Sequence, residues 1–286
     1  MQNIDPATPP VLTTTEMLLP RLGPFRKAWY GVRSLVFYIG YALWTLWFGV
    51  TTPLFVKPLG YLACVRYINW WNRGVIVWLR WVCGVRYRVE GIEHIPPRPY
   101  VVVAKHQSQW ETFFLQLPFA PACTILKQEL LKIPVFGWGL ATIKPIAIDR
   151  SARRESLKQI LDDGCVRIEE GISVLIFPEG TRTDIGKVGR YARGGADLAQ
   201  KAGVPMLPVA HNAGECWPGK RFIKYPGLVT VVIGPPLDST TTDSRSLMNQ
   251  AQAWIEQEVQ RVSQYHLPPH LAATTRPDHP NDIAAR

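Results

Sequence analysis

PIAIDRSARRESLKQILDDGCVRIEEGISVLIF, residues 145–177, decides the fold. It opens on a short apolar run at 145–148, passes through a helical pattern at 153–170, and closes on a second apolar run at 173–177. Strand, helix, strand is the repeating unit of a parallel sheet. Working outward, further β-rich runs fall at 85–89, 100–104, 123–126, 206–210 and 228–233, and a second clear helical pattern at 194–202. This alternation predicts an α/β fold, a mostly parallel sheet flanked by helices. Asp243 has the character of an N-cap for a last helix reaching about Val262. The predicted domain is therefore 83–265, followed by a disordered tail, 266–286, rich in Pro, His and Asp.

The chain before residue 83 has a different texture. Residues 1–25 contain Pro and Thr clusters without periodicity and read as a flexible leader; no signal-peptide pattern is present. Residues 34–56 carry no charged side chain, and 23 residues suffice to span a hydrocarbon core of about 30 Å. In residues 67–82, Arg66, Asn69, Arg73 and Arg80 share one helical face, while Trp71, Val75, Trp78 and Val82 share another. That pattern suits a helix lying in a membrane interface, or one packed on the soluble domain. Segment 26–82 is thus expected to be membrane-embedded or interfacial. Basic residues flank the long run on both sides, which favours a monotopic arrangement with both ends on one face.

Composition narrows the partners. The net charge is +10, and residues 1–90 hold ten Lys or Arg against three acids. Seven of the eleven tryptophans lie between Trp29 and Trp81, interleaved with those cations, which points to lipid rather than nucleic acid. Five widely spaced cysteines without a CxxC give neither a disulfide framework nor a zinc site.

Two constellations carry chemistry. His106 follows the apolar run 100–104 and precedes a helix, with Glu111 five residues on. A strand end opening into a helix is where α/β folds place active sites. With His106 in the turn and Glu111 in the first helical turns, the carboxylate can orient a histidine general base. The second is Phe177-Pro178-Glu179-Gly180-Thr181-Arg182, after another apolar run: glycine allows close backbone approach, threonine offers a hydroxyl, and arginine can clamp a phosphate. Two further patterns mislead. Gly214 to Lys220 reads GxxxxGK, but Arg221 stands where a P-loop needs Ser or Thr. Ser108 adjoins a histidine but lacks a GxSxG elbow.

Together these motifs resemble the 1-acyl-glycerol-3-phosphate acyltransferases, within the glycerolipid acyltransferase superfamily. The first family motif, a His, four residues and an acid, is His106 through Glu111; the usual acid is Asp, and here it is Glu. The second runs from Lys127 through Pro134, Gly137 and Trp138 to Ile148-Asp149-Arg150. The third is Phe177 to Arg182, and the fourth is Val204-Pro205-Met206-Leu207-Pro208-Val209. The resemblance covers roughly residues 85–240. It implies acyl transfer from a thioester, acyl carrier protein or coenzyme A, to the free sn-2 hydroxyl of lysophosphatidic acid, giving phosphatidic acid. His106 is then the base and Glu111 its orienting acid. Lys127, Glu179, Gly180, Thr181 and Arg182 bind substrate, with Lys127 and Arg182 on the phosphate. Metal and cofactor are not called for. The expected place is the membrane with the site on its cytoplasmic face, the inner membrane in a bacterium. The alternatives are an acyltransferase for another lyso-lipid, such as a lyso-ornithine lipid, and an inactive membrane adaptor of the same fold.

Overall fold

The computed structural model describes residues 19–20 and 22–265. Most of the expected leader and all of the expected tail lie outside those residues. Among the described residues the first element is α1 (Pro24–Thr51), extended by a π turn, Thr52–Val56, and a 3₁₀ turn, Lys57–Leu59, which reverses into α2 (Tyr61–Cys83). There follow β1 (Val85–Glu90), β2 (Val101–Ala104), α3 (Trp110–Phe114), β3 (Ala122–Lys127), α4 (Phe136–Ala141) and β4 (Ile146–Ile148). The rest is α5 (Arg153–Glu169), β5 (Ser173–Ile176), α6 (Gly194–Ala202), β6 (Met206–His211), α7 (Ala213–Cys216), β7 (Gly227–Ile233) and α8 (Ser244–Val262). Every expected strand is present, and Asp243 caps α8 by accepting from the N–H groups of Arg245 and Ser246.

The seven strands form one sheet in the order β1-β7-β6-β2-β5-β3-β4. All neighbours are parallel except β6 and β7, so β1 and β7 run against the other five. Alternation along the strands divides the core in two. Val102, Ala104, Leu175 and Val209 face α1, α2 and α3. Val101, Val103, Val174, Ile176 and Met206 face α5, α6 and α8. The helices on the two sides therefore meet different surroundings.

Helices α1 and α2 form a hairpin locked by a reciprocal exchange. A Cβ on Gly40 would lie 2.3 Å from the Trp78 indole, and one on Gly74 would lie 2.4 Å from that of Trp44. Each glycine thus receives the other helix's tryptophan, a close approach that no larger residue permits. Each indole N–H then donates across the hairpin, Trp44 to the Trp71 carbonyl at 3.3 Å and Trp78 to that of Phe37 at 3.2 Å. Gly84, left-handed at φ 74°, ends α2. The expected apolar face of α2 is split: Trp71, Val75 and Leu79 are buried in the core, while Trp78 is partly outside. Its apolar arc is wide enough to pack on the domain and still leave Trp70, Val77 and Trp81 exposed. The segment Pro24–Leu59 is long and apolar enough to cross a membrane. Phe25, Trp29, Leu43, Trp47 and Phe55 are exposed on it.

Lys224 ties α1 to the sheet domain. Its backbone N–H donates to Ser34 Oγ at 2.8 Å, and its ammonium donates to the carbonyls of Arg221 and Phe222 while lying 4.7 Å from the Tyr38 ring centre. Burial pushes its pKa down to about 7. The unfolded chain holds that proton up to about pH 10.4, so between the two values it binds more protons than the folded one. Stability should therefore rise with pH above 7 and be lowest below it. Thermal melts across that window should show the rise, and Lys224→Met should flatten it; an unchanged slope in the variant would remove Lys224 as the cause.

Candidate active site

The loop between β2 and α3 carries the first motif, and backbone geometry builds it. Glu111 is the second residue of α3 and is wholly buried. One of its oxygens, Oε1, accepts from His106 Nδ1 at 2.9 Å, from the Gln107 N–H at 2.9 Å and from the Ser108 N–H at 2.7 Å. The carboxylate thus ties the loop around itself and fixes the imidazole ring. Burial pushes its pKa up, but the bond from His106 and the Ser108 N–H outweigh this, and Glu111 titrates below the ordinary range. His211, fully buried and held below its own ordinary value by that burial, accepts from the Ala213 N–H at 3.3 Å through Nδ1 and sits 2.8 Å from the Lys105 carbonyl through Nε2. That pattern is the neutral tautomer, so the N–H groups and His106 do the stabilising of the Glu111 carboxylate. With Nδ1 donating to a carboxylate, Nε2 of His106 is the basic nitrogen. The ring stacks on Phe177 with centroids 4.3 Å apart.

Behind His106 stands a buried ionic network. Lys105, completely buried, donates to Glu179 Oε1 at 2.7 Å, to Glu256 Oε1 at 2.8 Å and to the Lys187 carbonyl at 3.1 Å. Glu179 Oε2 accepts from the His106 N–H at 2.8 Å, and Tyr191 Oη lies 2.8 Å from Glu256 Oε1. An unpartnered charge here would be costly, so the network is all or nothing. Thr183 closes the loop from the other side, its N–H donating to the His106 carbonyl at 2.8 Å.

The third motif therefore divides differently from the expectation. The Glu179 carboxylate bonds the Lys105 ammonium and the His106 N–H. Gly180, left-handed at φ 67°, and the exposed Thr181 line a large cleft on the other side of Phe177. Arg182 is half-buried, and its Nη1 donates to the Gly219 carbonyl at 2.9 Å, leaving Nε and Nη2 unpaired among the described residues. Lys127 is not brought to Arg182: its exposed ammonium pairs with Glu129 at 3.0 Å, and it does not line the cavity described below. Arg150, the last residue of the second motif, does line that cavity, and burial and the charge of Arg182 both hold its pKa below the ordinary value. The Gly214–Lys220 stretch, so like a phosphate loop in spacing, instead supplies the carbonyl that orients Arg182, with Gly219 packed against that side chain.

His106 lines a cavity of about 170 Å³. Its walls come from α1 and α2 (Phe48, Ile68, Trp71), from the sheet (Ile125) and from α4 (Gly139, Leu140). The lining is mainly apolar, with Thr45, Asn72, Gln116 and Thr124 among its polar members, and Arg150 is its one Lys or Arg. A mainly apolar chamber with a basic nitrogen in its wall can hold an acyl chain and present its carboxyl end to that nitrogen. Among the described residues no group of His, Cys, Asp and Glu could hold a metal ion.

The Acyltransferase family profile matches residues 86–212. The chain is 44% identical over 239 residues to the 1-acyl-sn-glycerol-3-phosphate acyltransferase of Pseudomonas aeruginosa, spanning 81% of this chain and 92% of that one. It is 27% identical to the enzyme of the same name from Saccharomyces cerevisiae, over 72% of this chain and 70% of that one. The crystal structure of the 1-acyl-sn-glycerophosphate acyltransferase of Thermotoga maritima superposes with a TM-score of 0.71 at 26% identity, covering 85% of this chain and all of that one.

Proposed function

The chain belongs to the 1-acyl-sn-glycerol-3-phosphate acyltransferase family, and from that premise we propose that it moves a fatty acyl group from a thioester to the sn-2 hydroxyl of lysophosphatidic acid. One observation carries the reading: His106, its Nδ1 fixed by the buried Glu111, lines a mainly apolar cavity. The donor's acyl chain fills that cavity, with its thioester carbonyl at His106. Nε2 takes the proton of the acceptor hydroxyl as the oxygen attacks the carbonyl carbon. The new C–O ester bond forms, the C–S bond breaks, and the proton passes from His106 to the departing thiolate. Glu111 stabilises the imidazolium that exists between those two transfers. Arg182 and Arg150 hold the acceptor phosphate, Arg182 being pre-aimed by Gly219.

The acceptor is a membrane amphiphile, and the outward faces of α1 and α2 are apolar and rich in tryptophan. We place this hairpin monotopically in the cytoplasmic leaflet, with its basic flanks among anionic head groups. Purified protein given labelled lysophosphatidic acid and an acyl thioester should form phosphatidic acid. Equal use of an acceptor without phosphate, such as a lyso-ornithine lipid, would reassign the substrate.

The cavity also makes a prediction about chain length. A Cβ on Gly139 would meet only ordinary van der Waals neighbours, 3.5 Å from Gly49 and 3.7 Å from Ile68. Gly139→Ala should therefore fold and act normally, whereas Gly139→Leu places its side chain in the cavity. Competition between thioesters of different length should then favour shorter chains than the wild type prefers. An unchanged product profile would remove the cavity as the acyl site.

A further inference from the structure

Beside the acyl cavity lies a second, larger space, a cleft of about 1120 Å³. It is lined by five arginines, Arg150, Arg153, Arg190, Arg193 and Arg245. Its acids are Asp197 and Glu179, and Glu179 is already committed to Lys105. Arg153, Arg190, Arg193 and Arg245 are exposed, and none of the four forms an ion pair with a described residue. Their positions are unfavourable for the fold by itself. Arg153 begins α5, Arg193 is the N-cap of α6 and Arg245 is in the first turn of α8. A cation at a helix N-terminus opposes the helix dipole, and three such placements facing one cleft contribute nothing to stability. They make sense only if an anion joins them.

The cleft's location says where that anion comes from. Its walls belong to α5, α6 and α8, on the face of the sheet opposite the apolar hairpin. A ligand reaches it from water, not from the bilayer. Yet it adjoins the reaction chamber: Ile125, Arg150 and Phe177 line both spaces, and Phe177 stacks on His106. A molecule whose apolar end occupies the cavity can therefore extend past Phe177 into the cleft and present phosphate there.

Resting on the acyl-transfer reading above, we propose that this arginine cleft binds the phosphate-bearing end of the acyl donor, the phosphorylated pantetheine arm shared by coenzyme A and carrier-protein thioesters. The acceptor's phosphate, arriving from the bilayer side, keeps Arg182. Donor and acceptor thus approach His106 from opposite faces of the sheet, with Arg182 and Arg150 serving the acceptor and Arg153, Arg190, Arg193 and Arg245 the donor.

The test compares full-length wild type with the Arg190→Gln, Arg193→Gln, Arg245→Gln triple variant, varying donor and acceptor separately. The expected result is a rise in donor KM of about tenfold or more, since each charge-assisted hydrogen bond to phosphate supplies a sizeable fraction of that, with the acceptor KM within about twofold. The triple Arg→Lys variant should recover part of the loss, because charge is kept and the fork is not. Acyl-coenzyme A and an acyl carrier protein thioester are run as separate arms. A rise in both supports recognition of the shared phosphate. A rise with only one supports the cleft as a donor site and identifies which carrier supplies the rest of the anionic surface. A rise in acceptor KM alone, or no change in either, overturns the proposal while wild-type turnover leaves acyl transfer standing. Absence of phosphatidic acid from the wild type overturns the acyl-transfer reading, and this proposal with it.

Discussion

His106→Ala is expected to lower kcat by about 10²–10⁴-fold, the usual worth of a positioned general base, with thermal stability close to wild type. Removal of the ring leaves Glu111 still bonded to the Gln107 and Ser108 N–H groups, and the loop still held by Glu179 and Thr183. The loss should therefore be of chemistry and not of folding. KM for the acceptor should move little, because the ring makes its main contribution in the transition state. Steady-state rates with a melting curve on the same preparation check this, and retention of more than about a tenth of wild-type kcat would show that another group takes the proton. Glu111→Asp restores the family's usual acid but shortens the side chain by one methylene inside a fully buried site. A modest loss is expected there, because the carboxylate must satisfy two backbone N–H groups and the ring at once.

The second large effect is expected at Arg182. Arg182→Ala should reduce kcat/KM for lysophosphatidic acid by about ten- to a hundredfold, since a charge-assisted bond contributes about 1.5–3 kcal/mol. The guanidinium is already oriented on the Gly219 carbonyl, so little ordering remains to be done when phosphate binds. Arg150→Ala should act in the same direction. Lys127→Ala should change kcat/KM by less than about threefold, because its exposed pair with Glu129 is worth little. Arg182→Lys should recover only part of the loss, a point charge being unable to grip two oxygens in a fork. Initial rates at varied acceptor concentration separate these cases. An effect of Lys127→Ala as large as that of Arg182→Ala would restore the pairing that the spacing of the motifs suggested.

The architecture was legible because it is written in local periodicity. Each β-rich run became a strand, and Asp243 caps α8 as its residue type implies. The pairing of His106 with Glu111 was also legible, since a turn followed by the first residues of a helix leaves few other geometries. What could not be read depends on neighbours distant in sequence. Lys105 stands 151 positions from Glu256, and nothing near either residue marks them as partners. Glu179, which the resemblance puts on substrate, has its carboxylate bonded to Lys105 and to the His106 N–H, partners that only the fold reveals. Arg150 had a signal, as the terminal cation of the second motif, but its placement in the cavity wall required the β3–β4 pairing. The exchange of Trp44 and Trp78 for Gly74 and Gly40 is equally nonlocal, although both glycines stand in apolar helical segments where each weakens the helix.

The most direct test follows the fate of the acyl chain. Purified full-length protein, in vesicles containing lysophosphatidic acid, is supplied with an acyl thioester, and thiol release, phosphatidic acid and free fatty acid are measured together. The account predicts one phosphatidic acid formed for each thiol released, with both lost in His106→Ala. Thiol release accompanied by free fatty acid and no phosphatidic acid would mean that water, not a lyso-lipid hydroxyl, receives the acyl group, and would contradict the account.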